Sequence, residues 1–291
     1  MPRLLEGHCP SRFFAEAGAG TLDSATAGGM DTYELDYPPL LSDFVLYSTL
    51  GDTHGRHSSI PREHMPAGDV LLHAGDLTNT GELEQVQSFS KWLEDYPAKK
   101  KVIIAGNHDI TFQEDYYIAR GAQRFHGGIR YDCSQAKQLL KNAIYLQDSS
   151  TEVHGYKIYG SPWQPDFYDW AFNLPRGEQL QRRWGAIPVD TDILLVHGPP
   201  AGYVDITPVG RVGDADLLAA VQNRSIPVVV TGHLHMAHGV ATDNVTLFVN
   251  AATCTEDYQP IQPPIVFDLP PAKQLREVIA HAAGRQRQGP A

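Results

Sequence analysis

Apolar residues in this chain fall into short unbroken runs, and five of these runs end in a similar way. Residues 44–50 lead into Gly51-Asp52-Thr53-His54, 69–74 into Gly75-Asp76, and 101–105 into Gly106-Asn107-His108-Asp109. Residues 192–196 lead into His197-Gly198, and 227–231 into Gly232-His233-Leu234-His235. Continuous runs of this length, rich in Val, Ile and Leu, read as strands buried on both faces. Helical spacing lies between them. Leu83, Val86, Phe89 and Leu93 follow Thr80, which is placed as an N-cap with Glu82 and Glu84 in the first turn. Residues 132–141 and 214–223 read as two more helices, and 142–147, 151–159, 245–250 and 264–268 as further strands. The mixture predicts a layered α/β domain with no repeat and no internal linker.

Loops at the carboxyl ends of such strands gather along one sheet edge, so Asp, His and Asn residues far apart in sequence can meet there. Each motif alone has a plainer reading. Asp-x-His, Gly-Asp and His-Gly are ordinary turn or capping chemistry, and Gly-Asn opens many turns. Gly-His-x-His after Val228-Val229-Val230 is more telling, since two solvated imidazoles would otherwise have no task. Five such clusters in order, each closing a strand, point to a metal site made of nitrogen and oxygen donors without thiolate. His73, inside a strand, reads as a core histidine. Arg56 and His57 directly follow the first motif and are candidate substrate contacts, with a solvated loop as the equal alternative. The aromatic stretch Trp163, Phe167, Tyr168, Trp170, Phe172 reads as core rather than as a stacking wall for a nucleobase.

The ordered series, with the stretches 68–81, 105–109, 160–165, 197–200 and 250–270, resembles the calcineurin-like metallophosphoesterases, and within them the metallophosphoesterase-domain-containing branch. The resemblance covers residues 44–270. It implies an α/β fold of two facing mixed β-sheets flanked by helices, a four-layer sandwich with the site on loops at one edge. It also implies two divalent ions, drawn from Mn, Fe, Zn or Co. Asp52, His54 and His235 would hold one, and Asn107, His197 and His233 the other, with Asp76 as the bridge. His108 would then be a non-ligand general acid, with Asp109 orienting its ring. The mechanism expected is attack of a metal-bridging hydroxide on phosphorus without a covalent enzyme intermediate. One departure from the superfamily pattern is Gly51, where Ser is more usual; that side chain is not a ligand.

Composition narrows the function classes. With 291 residues and 42% hydrophobic content, the chain can bury one large core. A formal charge of −11 argues against bulk nucleic-acid binding, although a small phosphoester remains an acceptable substrate where bound cations dominate the local field. Three cysteines without a CxxC pair suggest a reducing compartment, and no run suits a signal peptide or membrane span, so a cytoplasmic location is expected. Residues 1–40 are expected to be a disordered extension, 41–270 the metallophosphoesterase domain, and 271–291 a tail with a short helix. The expected function is a phosphodiesterase, with cyclic nucleotides the substrates the resemblance implies. A non-catalytic metal-binding scaffold on the same fold and a protein phosphatase are the alternatives.

Overall fold

The computed structural model describes residues 3–5 and 44–279. Two six-stranded sheets carry the fold. The first runs in the spatial order Arg3–Leu5, Ile265–Leu269, Val45–Leu50, Gly68–His73, Ala98–Ile103, Ile144–Tyr145. Its last four strands are parallel, and its first two pair antiparallel. The second runs Gly239–Thr242, Leu247–Asn250, Val228–Thr231, Ile193–Val196, Tyr156–Ser161, Ser149–Val153, with a parallel centre and antiparallel edges. All five runs that end in polar clusters are therefore central or near-central strands, as both-face burial requires.

The two-residue period of the strands sorts their side chains into layers. Val70, Leu72, Val102, Ile104, Ile158, Ile193, Leu195, Val228, Val230 and Val249 share one cluster between the sheets. Their neighbours Leu71, Ile103, Leu194, Val229 and Phe248 belong to the other cluster, with Val86, Phe89 and Leu93 of the helix Leu83–Asp95 and Leu217 and Val221 of the helix Ala215–Arg224. Helix, sheet, sheet and helix are thus stacked as the four-layer expectation has it.

Several local expectations are corrected. Thr80 is not the N-cap of the first long helix. The chain stays extended through Glu82, which caps without a side-chain bond, because the segment before it is tied elsewhere: Thr78 Oγ1 accepts from Gly81 N, and Thr111 Oγ1 donates to the Gly81 carbonyl. Residues 151–159 are a hairpin, not one strand. His154 and Gly155 have φ of 51° and 80°, a turn that reverses the chain between Ser149–Val153 and Tyr156–Ser161. The helix Glu178–Gly185 escaped notice because it is short and charged, with only Leu180 and Trp184 buried. Asp132 and Asp214 cap the other two helices read from the sequence, accepting from Ser134 N and Asp216 N.

At the ends, Arg3–Leu5 pairs antiparallel with Ile265–Leu269, and the rest of the expected extension lies outside the described residues. Residues 272–279 are helical and packed against the domain. Ala272, Leu275 and Ile279 enter the inter-sheet cluster, and Arg276 grips buried Asp192 with Nε at 2.8 Å and Nη2 at 2.5 Å. The frayed segment expected at 284–290 lies outside the described residues. Among the described residues, no helix is long and apolar enough to cross a membrane. We predict that Leu275→Ala, which empties a fully buried position, lowers unfolding free energy by about 3 kcal/mol in urea titration. Exposed Gln274→Ala should stay within about 0.5 kcal/mol of the parent.

Candidate metal centre

The five loops meet where the carboxyl ends of both sheets come together. His54 Nε2 lies 3.0 Å from His235 Nε2 and 3.6 Å from Asp76 Oδ2. His197 Nε2 lies 3.4 Å from Asp76 Oδ2 and 3.0 Å from Asn107 Oδ1. His235 Nε2 is 3.6 Å from Asp52 Oδ1, and the His233 and His197 ring centroids are 5.0 Å apart. All seven side chains expected as ligands are therefore brought together. Asp52, His54, Asp76, Asn107 and His197 are buried, while His233 and His235 are half-buried.

The local route into the site is not extended backbone, on which residues two apart such as Asp52 and His54 would face one side. Asp52, His54, Asp76 and His233 all take left-handed backbone, with φ of 50°, 42°, 54° and 65°. Non-glycine residues in that region carry strain, and such residues cluster where geometry serves function. Supporting bonds hold the turns. Asp52 accepts from His233 N at 2.8 and 2.9 Å, which ties the first motif to the last across the two sheets. Asn250 Nδ2 donates to the carbonyls of Gly232 and Leu234, and Gln262 Nε2 to those of His235, Ala252 and Cys254.

Two glycines are required by contact rather than by turn geometry. A Cβ at Gly106 would run into Asp76 Oδ1 and His197 Cε1, and one at Gly232 into Asp52 Oδ2.

The donor set fits a cation. His197 Nδ1 donates to the Ala74 carbonyl at 2.8 Å, and His235 Nδ1 to the Thr255 carbonyl at 2.9 Å. In their neutral forms both rings therefore turn the Nε2 lone pair toward carboxylate and amide oxygens. His54 Nδ1 is buried with no hydrogen-bond partner among the described residues. Three groups, Asp52-His54-His235, His54-Asp76-His108 and Asp52-Asp76-His197, each bring three donor atoms within 4.8 Å of one another. The field draws in positive charge. Burial works to lower the His197 pKa, but the Asp76 carboxylate reverses it and lifts the imidazole to about 9. Asp76 in turn is opposed by burial yet held well below the usual carboxylate range by His197, His108 and His54.

His108 stands beside this cluster. Its ring meets His54 edge-on at 4.5 Å, its backbone N–H donates to Asp76 Oδ1 at 2.8 Å, and its Nδ1 donates to the Asn79 carbonyl at 2.8 Å. The expectation that Asp109 orients this ring is corrected. Asp109 is fully buried and accepts from Leu77 N, Thr78 N, Thr78 Oγ1 and Gly106 N, so it braces the Asp76 loop against the Asn107 loop. Burial and nearby Asp76 push its pKa up to about 7.

His57 does not face the site. It is buried beneath Phe89 and Trp92, hydrogen-bonded to Ser88 Oγ at 3.0 Å, and burial lowers its pKa to about 4. Arg56 is exposed, next to the first motif. His73 is the core histidine expected, 3.3 Å from Thr53 Oγ1.

The aromatic stretch divides. Trp163 and Phe172 are core, but Trp170 stacks on His108 at 4.0 Å, and exposed Phe167 meets His233 at 5.5 Å. Tyr258, missed altogether, lies 4.8 Å from His54 and 5.5 Å from His235. Its place in an irregular loop offered no periodic signal.

A family model described as calcineurin-like phosphoesterase matches residues 49–237, a span that holds every ligand candidate. The metallophosphoesterase domain-containing protein 1 of Homo sapiens and that of Mus musculus are each 46% identical over 246 residues, covering 80% of this chain and 72% of the relative. The UPF0046 protein T07D4.2 of Caenorhabditis elegans is 40% identical over 246 residues, covering 80% of this chain and 62% of that protein.

The burial of His57 sets a pH dependence. Its folded pKa of about 4 lies below its ordinary 6.5, so acidification puts protons on the unfolded chain first. Stability from this residue is complete above pH 6.5 and erodes as the pH falls toward 4. Wild type should lose about 2 kcal/mol more than His57→Gln between pH 7.5 and pH 5, read from urea unfolding at matched metal content.

Proposed function

Because the chain belongs to the calcineurin-like phosphoesterases, we propose that it is a dinuclear metal-dependent hydrolase of small phosphodiesters, cyclic nucleotides among them. The observation that carries this reading is the convergence of His54, His197 and His235 on the Asp52 and Asp76 carboxylates, with Asn107 and His233 joined to them through His197. Asp52, His54 and His235 would hold one cation, and Asn107, His197 and His233 the other. Asp76 is the natural shared ligand, since Oδ2 lies within 3.6 Å of both His54 and His197. Mixed imidazole, carboxylate and amide donors suit Mn, Fe, Zn or Co. When bound, such a pair supplies an activated water and neutralises phosphate charge.

The chain's own residues complete the reaction. The Asn79 carbonyl can only accept, so His108 Nδ1 carries a proton and Nε2 is the nitrogen free to pass one. In the protonated ring, Nε2 donates to the departing oxygen as the phosphorus–oxygen bond breaks, and the imidazole is left neutral. Asp109 serves this step indirectly, by fixing the loops that present Asp76 and Asn107. A complete ligand set together with His108 favours turnover over the scaffold reading.

His108→Ala should keep its metal while turnover of a phenyl phosphodiester, whose leaving oxygen needs a proton, falls on the order of 10²-fold. Asp76→Asn should instead lose metal, with elemental analysis run beside the assay. Equal metal loss in both variants would refute this division of roles. A parent protein inactive with Mn, Fe, Co and Zn would return the scaffold reading to first place.

A further inference from the structure

We propose that Trp170 is a positioning residue for His108, and that Asp169 is the anchor which sets the indole in place. This rests on the general-acid reading of His108.

Three close contacts hold the His108 ring, with Tyr258 edge-on farther off at 6.5 Å. Asn79 O holds Nδ1 at 2.8 Å, His54 stands on its edge at 4.5 Å, and the Trp170 indole lies along its face at 4.0 Å and 24°. The hydrogen bond fixes one atom of the ring but leaves the plane free to tilt about it. The indole removes that freedom. It is backed in turn by Phe125, at 4.3 Å, with the Arg124 guanidinium 5.9 Å from the indole centroid.

The loop that delivers Trp170 is costly in itself. Tyr168 and Asp169 are consecutive non-glycine residues with φ of 50° and 52°. Asp169 is bound from outside by one face of the segment 114–126. Arg120 Nη1 reaches Oδ1 at 2.7 Å and Arg124 Nη1 reaches Oδ2 at 3.2 Å. The Asp169 carbonyl accepts from Tyr116 Oη at 2.7 Å and Arg124 Nη1 at 2.6 Å, and Arg124 Nη2 donates to the Tyr168 carbonyl at 2.9 Å. Tyr116, Arg120 and Arg124 recur every four residues, so a single helical face makes the whole clamp. That segment includes a π-helical turn at Tyr117–Gly121, an irregularity often found beside functional sites. The clamp grips the residue directly before Trp170, so it bears on where the indole sits. Misplacing an acid by a fraction of an ångström weakens proton transfer without abolishing binding.

The test uses the full chain loaded with Mn and two substrates, methyl 4-nitrophenyl phosphate and methyl phenyl phosphate. Nitrophenolate leaves without needing a proton, whereas phenolate needs one. Trp170→Leu should lower kcat on the phenyl ester on the order of 10²-fold, keep the nitrophenyl ester within about 3-fold, and leave KM and metal content unchanged. Trp170→Phe, which keeps a flat face, should recover most of the loss. His108→Ala/Trp170→Leu should be no slower than His108→Ala, because the two residues act as a unit. Equal loss on both esters, or a rise in KM alone, would overturn the proposal and make the indole a substrate wall. If His108→Ala itself treats the two esters alike, the general-acid reading fails, and that result differs from a failure of Trp170 alone. Should Trp170→Leu not fold, Asp169→Ala frees the same indole and is held to the same comparison.

Discussion

The functional end of this protein depends on how closely two sheets can approach at their carboxyl edges. Asp76 and His197 pass directly over the backbone of Gly106, and Asp52 over that of Gly232, with no room for even one methyl group. The first contact joins the Gly68–His73 and Ala98–Ile103 strands to the second sheet through His197. The other joins the Val45–Leu50 strand to the loop after Val228–Thr231. Each sheet supplies donors that the other completes, so the site cannot exist in either half alone. The apolar layer between the sheets sets their spacing, and the glycines let the polar ends use it.

Polar bracing then converts proximity into order. Asp109, once expected beside the His108 ring, accepts four hydrogen bonds from the Asp76 and Asn107 loops. A buried carboxylate is tolerable only when so fully satisfied. The backbone carbonyls of Ala74, Thr255 and Asn79 play a parallel part, each fixing one imidazole through Nδ1. A ring whose outer nitrogen is committed presents its other nitrogen in one direction, which is how metal-binding histidines are commonly oriented.

Much of this was legible from residues alone, for definite reasons. Strands buried on both faces leave unbroken apolar runs, so the central strands and the ligand clusters at their ends could be read directly. The helices after Asp132 and Asp214 declared themselves through apolar residues on one face, Ala136, Leu139 and Leu140 in one and Leu217, Leu218 and Val221 in the other. Other features had no local signature. A carbonyl acceptor such as Asn79 O is carried by any residue and marks none. His57 and His54 look alike in sequence, yet packing under Phe89 and Trp92 sends His57 away from the site. Trp163 and Trp170 sit in one aromatic stretch, yet long-range partners separate them: Asp148 and Arg183 hold Trp163, while Trp170 stacks on His108. The 151–159 segment looked continuous because its alternation survives a two-residue reversal at His154-Gly155.

The left-handed backbone at His233 has a consequence for how such a protein could lose its chemistry. With φ at 65°, this position suits glycine better than histidine once no cation rewards the imidazole. Replacement there would surrender a donor while relaxing the chain, so the fold would gain as the reaction was lost. Histidine at this position therefore carries a backbone cost that only its imidazole can offset.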